Sequence, residues 1–302
     1  MITRTQAHII RHRPKIIALV ALITSGLSPI ALARAVPYAI IRAGSGVSVA
    51  IGSLDQNYQE TSNGSVLDKE TGSIPLISFG ASSVSGNPQG GLYWRIQGRS
   101  ARGNTTYNGQ TLGGTPVQTT TANTIFDING RLGFATGIGR HMALMPYFEM
   151  GEHHWRRNIG SGQGAGGIEH YTNGYLGGGL LWEIALNRRW VLALHGMAGY
   201  TFGAQITATD PVLVNTSTHQ TFYATSSQTL GDSAYESGGL KATYLINRVW
   251  RAFIRVDAVH FRYGASTPIP LFTTTGSGEP GFYEPNSQTT QVVITVGSGA
   301  RF

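Results

Sequence analysis

Two acid–histidine pairs stand close enough in the chain to suggest acid–base or metal chemistry: Asp257 with His260, and Glu149 with His153. A carboxylate that orients an imidazole makes a general base, and the same residue types hold metal ions. In extended chain the spacing argues against both. Side chains alternate between faces of a strand, so positions 257 and 260 point opposite ways. Positions 149 and 153 share a face, but four residues at about 3.3 Å each separate their Cα atoms by roughly 13 Å. The run Glu152-His-His-Trp-Arg-Arg157 then reads as a polar and aromatic rim. The glycine run Gly160–Gly167 has the composition of a phosphate cradle but no Lys-Ser/Thr after it and no helix to open, so it reads as a flexible outer loop. There is no G-x-S-x-G and no cysteine for thiol chemistry. The residues therefore predict no enzyme, no cofactor and no metal site.

The elements that would carry these side chains are strands. Between Trp250 and Ala258 the even positions are Trp250, Ala252, Ile254, Val256 and Ala258, and the odd ones are Arg251, Phe253, Arg255 and Asp257. Three charges on one face and none on the other is a period-two pattern. Trp190 to Phe202 repeats it. The alternation predicts ten strands, near 45–56, 74–84, 90–102, 123–135, 142–155, 172–186, 189–204, 233–246, 249–263 and 288–302. Short connections (85–89, 136–141, 187–188, 247–248) then alternate with long ones (57–73, 103–122, 156–171, 205–232, 264–287) rich in Gly, Thr, Ser, Asn and Gln. Eight or twelve strands are also compatible, because 205–232 has room for strand extensions.

An internal repeat marks the hairpin unit. Tyr175-Leu-Gly-Gly-Gly-Leu180 matches Tyr235-Glu-Ser-Gly-Gly-Leu240, and Asn187-Arg-Arg-Trp190 matches Asn247-Arg-Val-Trp250, both at an offset of 60. Asn suits tight turns. The tryptophan after each turn is placed at a lipid–water boundary.

The first fifteen residues carry Arg4, Arg11, Arg13, Lys15 and no acid; an apolar stretch and the A-x-A sites at Ala31–Ala33 and Ala33–Ala35 follow. That is the layout of a secretory signal peptide, expected over 1–35 with cleavage after Ala33 or Ala35, leaving 36–302 as a single barrel domain. Cutting after Ala33 leaves 18 basic against 15 acidic residues, a net of +3. No basic run interleaves with aromatics in the remainder, so no nucleic-acid partner is expected. Charged residues are only 12% of the chain, against about a quarter in soluble domains. A cysteine-free exported chain of low charge without long apolar runs suits a closed sheet with alternate faces toward lipid and lumen.

The final strand, Gln291 to Phe302, alternates Val292, Ile294, Val296, Ala300 and Phe302 on one face. With the Gly-Gly-Leu…Asn-Arg-x-Trp hairpins and the terminal aromatic, the chain resembles the bacterial outer-membrane β-barrel superfamily, in particular its small opacity-type and ten-strand members. That resemblance implies an all-β, single up-and-down antiparallel transmembrane barrel in the outer membrane. It also implies outer-membrane lipid as a neighbour and Phe302 as the signal to the barrel-assembly machinery. Ten-strand surface proteases of the omptin type use paired acids with an Asp-His couple, and here no Asp-x-Asp pair occurs.

Carrying the alternation inward gives a candidate lumen lining. Its positive members are Arg95, Arg99, Arg131, Lys241, Arg251, Arg255 and Arg301; its negative members are Asp127, Glu149, Glu183 and Asp257, joined by His153 and His195. The excess of cations predicts a narrow porin-like channel for small polar solutes with mild anion preference, unless the same charges pair and plug the lumen. The alternative function is a surface adhesin or interaction barrel acting through long loops that hold the tracts Thr119–Thr121 and Thr216–Thr225. A barrel enzyme acting on lipid or peptide is the minor alternative.

Overall fold

A computed structural model describes residues 35–302 except 86–89, 111–114, 161–165, 216–219, 268 and 272–278. Residues 1–34 of the predicted signal peptide and the core of the glycine run lie outside the described residues. The chain runs α1 (Tyr38–Gly44), β1 (Gly46–Ser62), β2 (Ser65–Val84), β3 (Gly91–Gln110), β4 (Pro116–Ile138), β5 (Met142–Ile159) and β6 (Gly167–Ala185). It continues through β7 (Trp190–Asn215), β8 (Gln220–Thr229), β9 (Ala234–Leu245), β10 (Trp250–Tyr263), β11 (Ile269–Leu271), β12 (Glu279–Phe282) and β13 (Asn286–Ala300).

Neighbouring strands pair antiparallel in chain order, and pairing of β1 with β13 and of β6 with β7 closes the ring. The lower part of β7 pairs with β9 and its upper part with β8, so β8 and β9 together form one wall. The result is a closed ten-strand antiparallel up-and-down barrel, and the short hairpin β11–β12 stands beside it. Closure leaves no open edge among the strands of the lower half, as a lipid-embedded sheet requires, while above them β8 pairs along one side only, with β7.

The faces are reversed relative to a soluble protein. Val47, Val49, Ile51, Leu92, Ile96, Leu132, Phe134, Leu194, Ile254 and Val296 are exposed outward, whereas Asp127, Arg131, Glu149, Glu183, Arg251 and Asp257 are buried inside. An exposed apolar belt around a buried charged lumen is the pattern of a membrane barrel. The belt ends sharply: beyond Ile51 the outward residues of β1 are polar, with Asp55 and Asn57 exposed.

The strands do not end with the belt. The expected long connection 57–73 is a two-residue turn between β1 and β2, the stretch 205–232 is largely strand, and Thr119–Thr121 lies inside β4. Residues 220–225 of the second threonine tract belong to β8, while 216–219 lie outside the described residues. The expected loops are strand: polar residues outside the belt carry no apolar alternation to mark the period. Asn63 and Gly64 have φ of 51° and 81°. Positive φ at both central positions is a type I′ hairpin turn, which Asn-Gly adopts at little cost.

At the other end, the repeated Asn-Arg turns share one device. The Asn187 side-chain oxygen accepts from the amides of Arg189 and Trp190, and that of Asn247 from Val249 and Trp250, at 2.8–2.9 Å. Asn187→Ala and Asn247→Ala are each expected to cost about 1 kcal/mol. The urea midpoint of the refolded barrel reads this, and unchanged midpoints would discount the bonds. A glycine and a tyrosine of the repeat have packing roles. The Tyr147 ring covers its register partner Gly179, and the Tyr175 ring covers Gly151, each within 2.5 Å of where a Cβ would stand.

Candidate functional site: the filled lumen

The interior is built in layers from the short-turn end to the loop end. At the floor, α1 lies across the barrel and packs against β2, β6, β7 and β9. Its buried residues are Ile40 and Ala43. Arg251 fastens it by donating to the carbonyls of Ser45 and Arg42, and the Arg42 guanidinium donates to the Asn247 carbonyl. Arg301 follows β13 at the same rim, where it donates to the Tyr38 hydroxyl at 3.2 Å instead of facing the lumen.

Above the floor stand two ion pairs on facing walls. Arg131 Nε meets Glu149 at 2.6 Å, with the guanidinium 4.5 Å from the Tyr147 ring centre. Arg255 Nε meets Asp257 at 2.6 Å and its Nη1 donates to Gln97 at 3.0 Å. His195 Nε2 lies 3.6 Å from the same Asp257. Arg95, Lys241 and Glu183 line a cavity between this layer and the floor.

The next layer crosses the barrel. Asp127 accepts from Arg99 at 2.6 Å and meets His153 Nδ1 at 2.5 Å; Arg99 reaches across to Gln291, which donates to Gln56. His153 does not combine with Glu149. It faces Asp127 because the two are register partners on β4 and β5. An Asp–His couple is a general-base arrangement, but both side chains are under 5% exposed and the His153 ring packs edge-on against Phe261. Aromatic rings continue upward, with Tyr175 stacked on Tyr235 at 4.1 Å and Trp155 on Tyr171 at 5.1 Å.

The loop-end layer went unrecognised in the sequence. Arg157, with a fully buried side chain, lies 3.2 Å from Glu60 and Glu169, 3.3 Å from Glu70 and 3.8 Å from Asp68. Its guanidinium is 4.6 Å from the Tyr58 ring centre. Glu284 joins through Tyr171, whose hydroxyl donates to it at 2.6 Å. Thr105 and Asn123 donate to Glu70 at 2.6 and 2.8 Å. Four carboxylates thus surround one guanidinium above the apolar belt, and Glu284 joins them through Tyr171. Burial, reinforced by Asp68, pushes Glu60 up to about 7; burial pushes Asp68 up to about 6, against the pull of Arg157; and burial with Glu60 holds Glu284 well above the carboxylate range. The predicted rim 152–157 is therefore split by alternation: Glu152 and His154 face out, while His153, Trp155 and Arg157 are buried inside. Extending the inward parity of β5 from Glu149 to 157 would have found Arg157.

The lumen is polarised along its axis. Acids dominate at the loop end and cations near the floor, with compensated pairs between. Among the described residues, two cavities between these side chains hold about 40 and 80 Å³.

No protein-family model matches the chain, and no curated protein matches it. Solved structures do. The outer membrane protease OmpT of Escherichia coli aligns over 85% of this chain and 96% of its own, at 10% identity and a TM-score of 0.53. OprG of Pseudomonas aeruginosa aligns over 87% and 99%, at 13% identity and a TM-score of 0.35. The first likeness is one of fold: ten-strand bacterial outer-membrane barrels share this architecture.

Proposed function

We propose that this chain, which has the fold of the bacterial outer-membrane β-barrels, is a non-enzymatic outer-membrane protein. Its lumen is sealed and it acts through its raised outer rim as a surface-interaction barrel. Short turns then face the periplasm, residues 1–35 are removed on export, and β13, with Phe302 just past it, is the segment presented to the assembly machinery. The observation that carries this reading is the filling of the lumen from α1 to Arg157.

The rim is a rigid platform. Past Ile51, β1 continues to Ser62, roughly 35 Å of strand before tilt is counted. A paired and internally packed extension holds a binding surface away from lipid better than free loops do. The fold shared with a protease does not carry activity over, because sites and not folds hold function. Here the Asp127–His153 couple is sealed from substrate by Arg99 and Phe261.

A narrow channel is the second reading, favoured by the cationic cavity above the floor. It requires both α1 and the Arg99–Asp127–His153 layer to move. Single-channel recording in planar bilayers separates the two. Folded protein is expected to give a silent membrane. Discrete steps, with selectivity altered by charge reversal at Arg251 and Arg255, would overturn the sealed reading in favour of the channel.

A further inference from the structure

We infer that the cavity just above the floor is a binding site for a small inorganic anion, held between Arg95 and Lys241. The register creates the need. Arg95 stands directly opposite Arg131 across β3 and β4, and Lys241 directly opposite Arg255 across β10 and β9. Directly opposed like charges repel. Glu149 neutralises Arg131 and Asp257 neutralises Arg255. Among the described residues Arg95 makes no ion pair or hydrogen bond, and the contact of Lys241 is the Phe253 ring at 4.7 Å.

A fifth cation, Arg251, lines the same cavity; its Nη1 is used by the Ser45 and Arg42 carbonyls and its Nε has no acceptor. The remaining acid on the wall is Glu183, whose Oε2 is itself without a hydrogen-bond partner. Five cations face three acids, an excess of two positive charges inside the lumen, where Arg95 and Lys241 are half-buried and charge needs a partner. The neutral groups on the wall, Ser48, Ser78 and Gln97, supply hydrogen bonds but no charge.

Size sets the ligand class. About 80 Å³ accommodates a halide with its remaining waters or one tetrahedral oxyanion, since a water takes about 30 Å³ of liquid volume. Sugar phosphates and nucleotides are too large. With α1 below and the Asp127 layer above, the anion is retained and screens the two repelling pairs. This site is independent of the rim.

The test is thermal unfolding of the full protein in detergent, titrated with sodium bromide against sodium gluconate at equal ionic strength, gluconate being too large for the cavity. Bromide is expected to raise Tm saturably by a few degrees, as ligand binding to the native state does. In the double variant Arg95→Gln/Lys241→Gln the bromide effect should vanish, and Tm in gluconate should rise because the repulsion is gone. Identical melts in the two salts, or an unsaturable bromide effect that survives in the variant, overturn the proposal. Should the variant not fold, anomalous diffraction from wild-type crystals grown in bromide decides. A bromide peak between Arg95 and Lys241 supports the site, and an empty cavity removes it.

Discussion

Replacing Arg157 by methionine is expected to open the loop end of the barrel at neutral pH while the lipid-embedded half stays folded. Methionine keeps much of the apolar stem but removes the one cation, whose guanidinium lies over the Tyr58 and Trp155 rings among Glu60, Asp68, Glu70, Glu169 and Glu284. Breaking a buried ion pair by deleting one partner costs about 3–5 kcal/mol, because the other charges stay buried without compensation. The damage should be local, since elements open in units and the belt strands are held by lipid and by their own ladders. Limited proteolysis should therefore cut near the β1–β2 and β5–β6 ends of the variant and spare the wild type. Arg157→Lys retains a charge but not the planar fork that reaches several carboxylates at once, so its resistance should fall between the two. A methionine variant as resistant as wild type at pH 7.5 would show that the cluster does not hold the rim together.

This layer also shows where a single sequence stops being legible. The ten walls were readable because lipid outside and charge inside give the largest polarity contrast a strand can carry, as in Trp250–Ala258. Above the belt that contrast disappears. Ser53, Asp55 and Asn57 face out on β1 while Tyr58 and Glu60 face in, so polar residues alternate with polar residues and the strand looks like a loop. The signals that survived were of other kinds: the Asn63-Gly64 turn and the unbroken parity from Glu149 to Arg157. Partnerships were harder to read than faces. Arg255 and Asp257 pair within one strand at a spacing visible in the sequence, but Asp127 meets His153 through the β4–β5 register, which no local pattern fixes. The floor was missed for a third reason. At seven residues, α1 is too short to show helical periodicity, and the barrel it lies across does the work of holding it.

The same cluster is expected to make the loop end more stable in mild acid than at neutral pH, opposite to the usual effect of carboxylate ion pairs. Glu60 is pushed from 4.5 up to about 7 and Asp68 from 3.8 up to about 6, so between roughly pH 4 and 7 the folded layer binds more protons than the unfolded chain. Stability then falls as pH rises. The contribution is fully present below the unfolded values near 4 and is lost as pH passes through the folded values near 6 and 7. At about 1.4 kcal/mol per unit, the shift of Glu60 alone corresponds to roughly 3 kcal/mol, shared with the acids that repel it. Glu60→Gln keeps the hydrogen-bonding shape without the charge. It should therefore raise protease resistance of the β1–β2 extension at pH 8 and flatten its dependence between pH 5 and 8. Hydrogen exchange of the β1–β2 amides above the belt should report the same trend, with protection higher at pH 5 than at pH 7.5 after correction for intrinsic rates. Protection that instead rises with pH would mean that Arg157 outweighs the mutual repulsion of the acids in this layer, and the layer would then be an ordinary salt-bridge network with no proton-linked weakness.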